Sequence, residues 1–276
     1  RTEYALAGIS QIRKELPEFL VGAGTVLNKK QAEQAVKAGA NYIVSPGFDE
    51  ETVRWCMSKD IPVIPGCMSA TEIQKAVSMG LTILKFFPAE NSGGAKACES
   101  LAAPYNRVKF IPTGGINLEN LSDYVNCNCI HAIGGGWLCK KADIASENWT
   151  AITDMARRSV KKLLRFEVAH VGINTKNMEA GKKLSYEFAK TFGFPVTEGE
   201  SSEFVGTGIE VVNSKGLGEN GHIAIDTNNI SRAEFHLSCA GVAFREESRA
   251  VKENKTVSIY LQHEFGGFAV HIRQRL

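Results

Sequence analysis

The stretch LKFFPAE, residues Leu84–Glu90, sets a single lysine in a short apolar run that a proline brings to an end. Side chains alternate between the two faces of a β-strand, so Lys85 is expected on one face and Leu84 and Phe86 on the other. An ammonium group that burial deprives of water has a lowered pKa, and the neutral amine then becomes a nucleophile toward carbonyl carbon. The alternative is a strand-end lysine whose ammonium reaches solvent.

The residues on either side repeat one pattern about every twenty positions: an apolar run, a turn rich in Gly, Pro, Ser or Thr, and an amphipathic helical segment. The apolar runs are residues 19–26, 42–45, 61–64, 83–87, 109–112 and 131–134. This repetition predicts parallel strands with helices outside, because parallel neighbours need a crossover. The turns follow the carboxyl ends of the strands, so the functional groups are expected on that face.

Two glycine-rich turns, TGGI at 113–116 and GGGW at 134–137, follow the last two of these strands. Glycine leaves backbone N–H groups open to an anion, which favours a phosphate site, although glycines also serve simply to make tight turns. In (β/α)8 barrels the phosphate site commonly follows strands seven and eight. Here the turns follow the fifth and sixth visible strands, which predicts that two strands precede Arg1.

Composition narrows the functional classes. A length of 276 residues predicts two domains, with one long barrel as the alternative. A net charge of +2 without a basic stripe gives no support to nucleic-acid binding, and no apolar run is long enough to span a bilayer. Seven cysteines without CxxC spacing predict reduced thiols in a cytoplasmic protein. In Cys127-Asn128-Cys129, strand alternation would direct the two sulfurs to opposite faces, which favours packing over a metal site.

Six motifs within residues 1–164 together resemble the class I 2-keto-3-deoxy-6-phosphogluconate/4-hydroxy-2-oxoglutarate aldolases. They are VGAGTVLN at 21–28, SPG at 45–47, IPG at 64–66, KFFPAE at 85–90, PTGGI at 112–116 and IGGGWL at 133–138. The resemblance implies a (β/α)8 TIM barrel lacking its first strands, and a homotrimer when full length. It also implies cleavage of 2-keto-3-deoxy-6-phosphogluconate to pyruvate and glyceraldehyde 3-phosphate, or of 4-hydroxy-2-oxoglutarate to pyruvate and glyoxylate, without a cofactor.

The resemblance assigns roles to individual residues. Lys85 would form the Schiff base with the keto carbon of the substrate. Arg1 and Thr25 would hold the pyruvate carboxylate, which suits a charged fork and a hydroxyl donor. Pro46 and Phe87 would wall the pocket. The distal phosphate or carboxylate would be received by Thr113, Gly114, Gly115, Gly135 and Gly136.

The sequence departs from the family pattern at two places. The family's catalytic glutamate precedes the arginine matched by Arg1, so it is expected outside the 276 residues. Glu90, at the first turn of a predicted helix, is not taken as its substitute. Gly136 stands where the family often has a serine, which removes one hydroxyl contact to the phosphate. Because the glutamate and two strands are expected outside this sequence, we expect this chain on its own to form pyruvate imine poorly and to turn over slowly.

The pattern changes after residue 164, and an internal repeat predicts a second domain over residues 165–276. HVGINTKN at 170–177 matches HIAIDTNN at 222–229, and a helical segment and strands follow each copy. The arrangement resembles the vicinal oxygen chelate (glyoxalase-like) fold, an α+β domain of paired βαβββ modules. In that family the metal ligands lie on the first and last strand of each module, which here hold His170, Glu210, His222 and His271.

These donors suit zinc, nickel, manganese or ferrous iron, although a duplicated strand would repeat its histidine whether or not a metal binds. Three hypotheses follow. In the first, the chain is a Schiff-base aldolase whose partners are small 2-keto acids and aldehydes. In the second, the activity lies in residues 165–276, as a metal-dependent lyase, isomerase or dioxygenase. In the third, that domain binds a metabolite or supports assembly without chemistry of its own.

Overall fold

The computed structural model of the protein describes residues 2–275. By its internal contacts the chain divides into two units, Arg1–Ala156 and Arg157–Leu276. The division lies inside the helix Trp149–Leu164, whose end was the predicted domain limit. The sequence pattern, in contrast, changes only where this helix ends.

Parallel strands form the centre of the first unit. They are β1 (Gly22–Ala23), β2 (Tyr42–Val44), β3 (Val63–Ile64), β4 (Ile83–Phe86) and β5 (Lys109–Pro112). One sheet holds β1, β2 and β3, a second holds β4 and β5, and a bridge between Gly66 and Lys85 joins them. Two further bridges from the β5 segment add a sixth parallel segment, residues 130–134. Neighbouring strands are therefore parallel and in chain order, as the repeating pattern predicted.

Helices precede, connect and follow the parallel strands. They are α1 (Ala5–Glu15), α2 (Lys29–Lys37), α3 (Glu50–Ser58), α4 (Ala70–Ser78), α5 (Gly94–Ala102), α6 (Leu121–Val125), α7 (Lys141–Ala145) and α8 (Trp149–Leu164), with 3₁₀ turns at Glu90–Ser92 and Gly136–Leu138. The side chains of Asn28, Asp49 and Ser69 accept hydrogen bonds from first-turn amides and so set where α2, α3 and α4 begin. Ser69 and Glu72 also form a reciprocal capping box.

The core of the first unit lies between the strands and these helices. Leu84 and Phe86 are both buried in it, and the Phe86 ring meets the edge of Phe110 with the ring centres 5.9 Å apart. Ile73 of α4 and Tyr124 of α6 belong to the same cluster. The side of β4 that carries Leu84 and Phe86 is therefore apolar and faces the helices. Lys85, which stands between these two residues in the sequence, lies on the opposite face of the strand.

Cys127 and Cys129 correct one expectation. They lie in a turn, in which the N–H of Ile130 donates to the carbonyl of Cys127 at 3.0 Å. Strand alternation does not apply to a turn, and the two Sγ atoms lie on the same side, 3.0 Å apart. The prediction that they face opposite ways was wrong for this reason. All seven cysteines are free thiols.

The second unit holds one eight-stranded sheet that two similar halves build. The first half is β6 (Glu167–Asn174), α9 (Met178–Phe192), β7 (Val196–Glu198), β8 (Ser202–Val205) and β9 (Ile209–Val212). The second half is β10 (Gly221–Thr227), α10 (Ile230–Cys239), β11 (Phe244–Lys252), β12 (Lys255–Phe265) and β13 (Phe268–Gln274). The sheet order is β11-β12-β13-β10-β6-β9-β8-β7.

The first and last strands of each half lie at the centre of this sheet. β6 pairs in parallel with β9, β10 pairs in parallel with β13, and the antiparallel pair of β6 and β10 joins the halves. The repeated sequence ends at equivalent asparagines, Asn177 and Asn229, which cap α9 and α10 through their side chains. In the part of the chain that the structure describes, no helix combines the length and apolar character needed to cross a bilayer.

Removal of one core ring tests this account of the first unit. Phe86 is 1% exposed, so Phe86→Ala removes buried apolar surface and leaves a cavity, and we expect the free energy of unfolding to fall by about 3–5 kcal/mol. Phe19, which is 58% exposed, provides the control, since Phe19→Ala is expected to change that free energy by less than about 0.5 kcal/mol. Urea unfolding measures both. Equal losses in the two variants would contradict the proposed core.

Candidate functional site

Lys85 lies in a cavity of about 350 Å³ on the inner face of the parallel strands. Each of the six strand segments contributes to the wall. The other lining residues are Gly22, Gly24, Tyr42, Val44, Ile64, Ile111, Thr113, Ala132, Ile133 and Gly134. Several of them stand two positions apart in the chain, which is the spacing of residues on one face of a strand. The cavity therefore lies where a β/α barrel directs its inward-facing side chains.

Two hydrogen bonds to the segment that follows β3 fix the backbone of Lys85. Its N–H donates to the carbonyl of Pro65 at 2.9 Å, and its own carbonyl accepts from the N–H of Cys67 at 2.9 Å. The residue is 9% exposed, and Nζ lies 4.6 Å from the centre of the Phe87 ring. The backbone of Lys85 is therefore fixed, and the amine at the end of its flexible side chain lies beside the face of the Phe87 ring.

Glycines make room for two close approaches around this cavity. Gly22 stands opposite Tyr42 in the β1–β2 pair, and a Cβ on Gly22 would lie 2.1 Å from the tyrosine ring. A Cβ on Gly66 would lie 2.0 Å from the carbonyl oxygen of Pro46. Tyr42 was missed by sequence reasoning, since only its place on the inward face of a short strand marks it as a cavity residue.

The predicted substrate-binding side chains lie at different depths. Thr113 lines the cavity with Lys85, whereas Arg1 lies outside the described residues. Thr25 follows the cavity residue Gly24 in a left-handed backbone conformation, with φ of 59°. Pro46 is half-buried against Gly66, and Phe87 is 37% exposed beside the Lys85 amine.

The two glycine turns lie side by side, because the bridge between Thr113 and Gly134 pairs them. Gly114 and Gly115 have φ values of 102° and 79°, which glycine adopts readily. Gly135 is extended, and a Cβ there would lie 1.9 Å from the ring of Trp137. Gly136 begins the 3₁₀ turn. Gly134 lines the cavity, whereas the four predicted glycines, Gly114, Gly115, Gly135 and Gly136, are not among its lining residues.

Glu90 has a structural partner in the first unit. The phenol of the buried Tyr124 donates a hydrogen bond to the Glu90 carboxylate, and burial and this carboxylate raise the pKa of Tyr124. Glu90 also packs against the place where Gly115 lacks a side chain. A buried phenol therefore holds the Glu90 carboxylate, and Glu90 is not among the residues that line the Lys85 cavity.

A sequence profile described as KDPG and KHG aldolase matches residues 1–155. The chain belongs to this aldolase family. A 2-dehydro-3-deoxy-phosphogluconate aldolase of Treponema pallidum (strain Nichols) is 44% identical over 161 residues, which make up 58% of this chain and 77% of the relative. The KHG/KDPG aldolase of Escherichia coli (strain K12) is 41% identical over 161 residues, covering 58% of this chain and 76% of the relative.

A solved aldolase structure shows the same relationship. The crystal structure of KDPG aldolase from Legionella pneumophila, with pyruvate captured as a covalent carbinolamine intermediate, has a TM-score of 0.55 at 35% identity. The match covers 56% of this chain and 75% of that chain. The first unit is accordingly a class I aldolase domain of the TIM-barrel type, a carbon–carbon lyase that works through a Schiff base. The family match ends before the second unit begins.

The second unit of this aldolase gathers the four residues that the sequence named as metal ligands. His170 of β6, His222 of β10 and His271 of β13 are buried, and one nitrogen from each lies within 4.8 Å of the others. Glu210 of β9 joins them: its Oε2 lies 3.0 Å from His170 Nε2 and 3.1 Å from His222 Nε2. The two Nε2 atoms are themselves 3.1 Å apart.

The spacing of these three donor atoms, the donor triangle, is one that the ligands of a single cation can adopt. Around a metal ion, bonds of about 2.1 Å at right angles separate two donor atoms by about 3.0 Å. The three spacings therefore agree with adjacent positions around one divalent ion.

Surrounding polar groups orient these side chains. Ser202 donates to Glu210 Oε1 at 2.6 Å, and the Ser258 hydroxyl lies 2.8 Å from His271 Nδ1. In the described chain no protein atom hydrogen-bonds His271 Nε2, a buried nitrogen. Burial lowers the pKa of His271 to about 3, and hydrogen bonds from the histidines lower the pKa of Glu210. A neutral imidazole and an ionised carboxylate are the forms that bind metals.

The four residues open onto a cavity of about 550 Å³ in the second unit. Its remaining wall is Asn174, Phe204, Val212, Gly216, Leu217, Val257, Ser258, Tyr260, Arg273 and Gln274. Tyr260 stacks on His271 with the ring centres 4.6 Å apart. Gly172, opposite His222 in the β6–β10 pair, leaves space for the imidazole, since a Cβ there would lie 2.0 Å from the ring.

Substitution of Gly22 tests the packing around the Lys85 cavity. In Gly22→Ala the methyl group displaces the Tyr42 ring, so we expect the free energy of unfolding to fall by about 1–3 kcal/mol. Gly24 is two residues along the same segment, and a Cβ there meets nothing within 4 Å, so Gly24→Ala serves as the matched control. Urea unfolding compares the two. A larger loss in Gly24→Ala than in Gly22→Ala would refute the close approach of Gly22 and Tyr42.

Proposed function

We propose that the first unit cleaves 2-keto-3-deoxy-6-phosphogluconate, 4-hydroxy-2-oxoglutarate or both, with Lys85 as the Schiff-base lysine. The observation that carries this proposal is the position of one lysine amine inside a barrel cavity that all six strand segments line. The named substrates come from the relatives, whose activities are KDPG and KHG cleavage. A homotrimeric, cytoplasmic enzyme remains the expectation from the sequence.

In the proposed mechanism the Lys85 amine attacks the C2 keto carbon and forms a carbinolamine, which loses water to give a protonated imine. A base then removes the proton of the C4 hydroxyl, so that the aldehyde C=O forms while the electron pair of the C3–C4 bond moves toward the imine nitrogen, and the aldehyde leaves. The resulting enamine takes a proton at C3, and water hydrolyses the imine to release pyruvate and the free amine. Each proton transfer requires an acid or base within hydrogen-bond reach.

The cavity supplies groups for binding at two ends. Thr25, with Arg1 as its expected partner, would hold the carboxylate beside the imine. The two turns, which pair at Thr113 and Gly134, would direct backbone N–H groups toward the distal anion from their remaining glycines, Gly114, Gly115, Gly135 and Gly136. Phe87, next to the amine, would limit access of water to the imine. A glycine at 136 offers no hydroxyl, so we expect weaker selection for phosphate over carboxylate.

Borohydride trapping tests the role of Lys85. With saturating pyruvate and prolonged exposure to borohydride, which allow for the slow imine formation expected from the sequence, the chain should accumulate one reduced pyruvate adduct, and peptide mass spectrometry should place it on Lys85. Lys85→Met should gain none. Lys109→Met, which removes a lysine from the neighbouring strand β5, should keep the adduct. An adduct that survives in Lys85→Met would reject Lys85 as the nucleophile.

A second candidate function rests on the donor triangle of the second unit. We propose that residues 157–276 form a glyoxalase-like domain that binds one divalent cation through His170, Glu210, His222 and His271. The separations of about 3 Å and the buried His271 Nε2 support it. Such a cation would supply Lewis-acid chemistry, as in a lyase, isomerase or dioxygenase, and metabolite binding without chemistry is the alternative.

Metal analysis tests this second function. The whole chain, equilibrated with Zn²⁺ or Ni²⁺ and then desalted, should retain about one ion per chain. The double variant His170→Ala/His222→Ala should retain none, because it removes two of the donors in the triangle. His263 is an exposed histidine of β12, so His263→Ala provides the control and should retain the ion. Equal metal content in the double variant and the control would remove the proposed centre.

A further inference from the structure

A thiol pair in the first unit has no part in the aldolase reaction. Cys127 and Cys129 lie in the turn that leads into the sixth strand segment, with their Sγ atoms 3.0 Å apart. The backbone around them is fixed by hydrogen bonds: Phe110 N–H donates to the Cys129 carbonyl at 2.7 Å, and Cys127 N–H donates to the Tyr124 carbonyl at 3.3 Å. The approach of the two sulfurs is therefore held by the turn and by β5.

The two thiols differ in access to solvent. Cys127 is 5% exposed, whereas Cys129 is half-buried and lines a surface cleft of about 330 Å³. Glu99, Tyr105 and Lys109 line the same cleft. Burial raises the pKa of the Cys127 thiol, so this thiol is a poor first nucleophile at neutral pH. A reagent in the cleft meets Cys129 first, and the Cys127 Sγ lies 3.0 Å from the Cys129 Sγ.

We propose that Cys127 and Cys129 form a reversible dithiol–disulfide site that reacts with small-molecule disulfides. The Cys129 thiolate attacks one sulfur of the small disulfide, forms a mixed disulfide and releases one small thiolate. Cys127 loses its proton and attacks Cys129 Sγ, which closes the intramolecular disulfide and releases the second small thiolate. The protein pair loses two electrons and two protons, and the small disulfide is reduced to two thiols.

The products of the remaining cysteines can be told apart from the product of the pair. Cys56, Cys67 and Cys98 are fully buried, and burial raises the pKa of Cys56 to about 11 and of the other two to about 12. Cys139 and Cys239 are exposed. A small disulfide would convert each exposed thiol to a mixed disulfide, which adds mass, whereas the pair loses only two hydrogens.

Oxidation in a glutathione redox buffer tests the proposal. Cys139 shares the tryptic peptide 110–140 with the pair, so the whole chain carrying Cys139→Ser is the background. After incubation with the oxidised buffer and alkylation, that peptide should lack two hydrogens and carry no alkyl group. Dithiothreitol should restore both alkylation sites. Full alkylation of both cysteines at every buffer ratio would overturn the proposal.

Three added variants separate the pair from its neighbours. Cys127→Ser should stop the reaction at a mixed disulfide on Cys129, and Cys129→Ser should leave Cys127 unmodified and open to alkylation after unfolding. Cys98→Ser should oxidise as the background does, because Cys98 is not one of the pair. A disulfide between Cys98 and Cys129 in the background protein, found by fragmentation of cross-linked peptides, would also overturn the proposal.

Discussion

The alternation of side chains along β4 is the constraint on which the first unit depends. Leu84 and Phe86 are buried against the helices, so Lys85 between them must lie on the inner face of the strands. The same residue carries the hydrogen bonds to Pro65 and Cys67 that join the two parallel sheets. The same strand therefore contributes Leu84 and Phe86 to the core and places Lys85 in the cavity.

In both units a glycine leaves space for the ring of a residue that lines the cavity. In each, a glycine on one strand stands opposite an aromatic side chain on the next: Gly22 opposite Tyr42, and Gly172 opposite His222. A side chain at either glycine would overlap the ring. The chemistry that we propose for the two sites differs, since the first would offer an amine to a keto acid and the second would offer nitrogen and carboxylate donors to a cation.

The sequence could predict what local patterns determine. The run at 83–87 indicated the place of Lys85, and the βα repetition indicated parallel strands in chain order. The repeated HxxI segments indicated His170 and His222, two of the four residues that meet in the second unit. It could not predict contacts that depend on distant segments, such as Tyr42 over Gly22. The prediction that the Cys127 and Cys129 sulfurs point to opposite faces was wrong, because these residues were interpreted as a strand and the structure has a turn there.

The central claim is that the Lys85 amine, held inside the barrel cavity, is the atom that attacks the keto carbon. A crystal structure of the chain soaked with pyruvate tests this most directly. We predict continuous electron density from Lys85 Nζ to C2 of pyruvate, with the pyruvate carboxylate near Thr25. Density that joins pyruvate to a different lysine, or pyruvate bound without a covalent link and away from Lys85, would contradict the account.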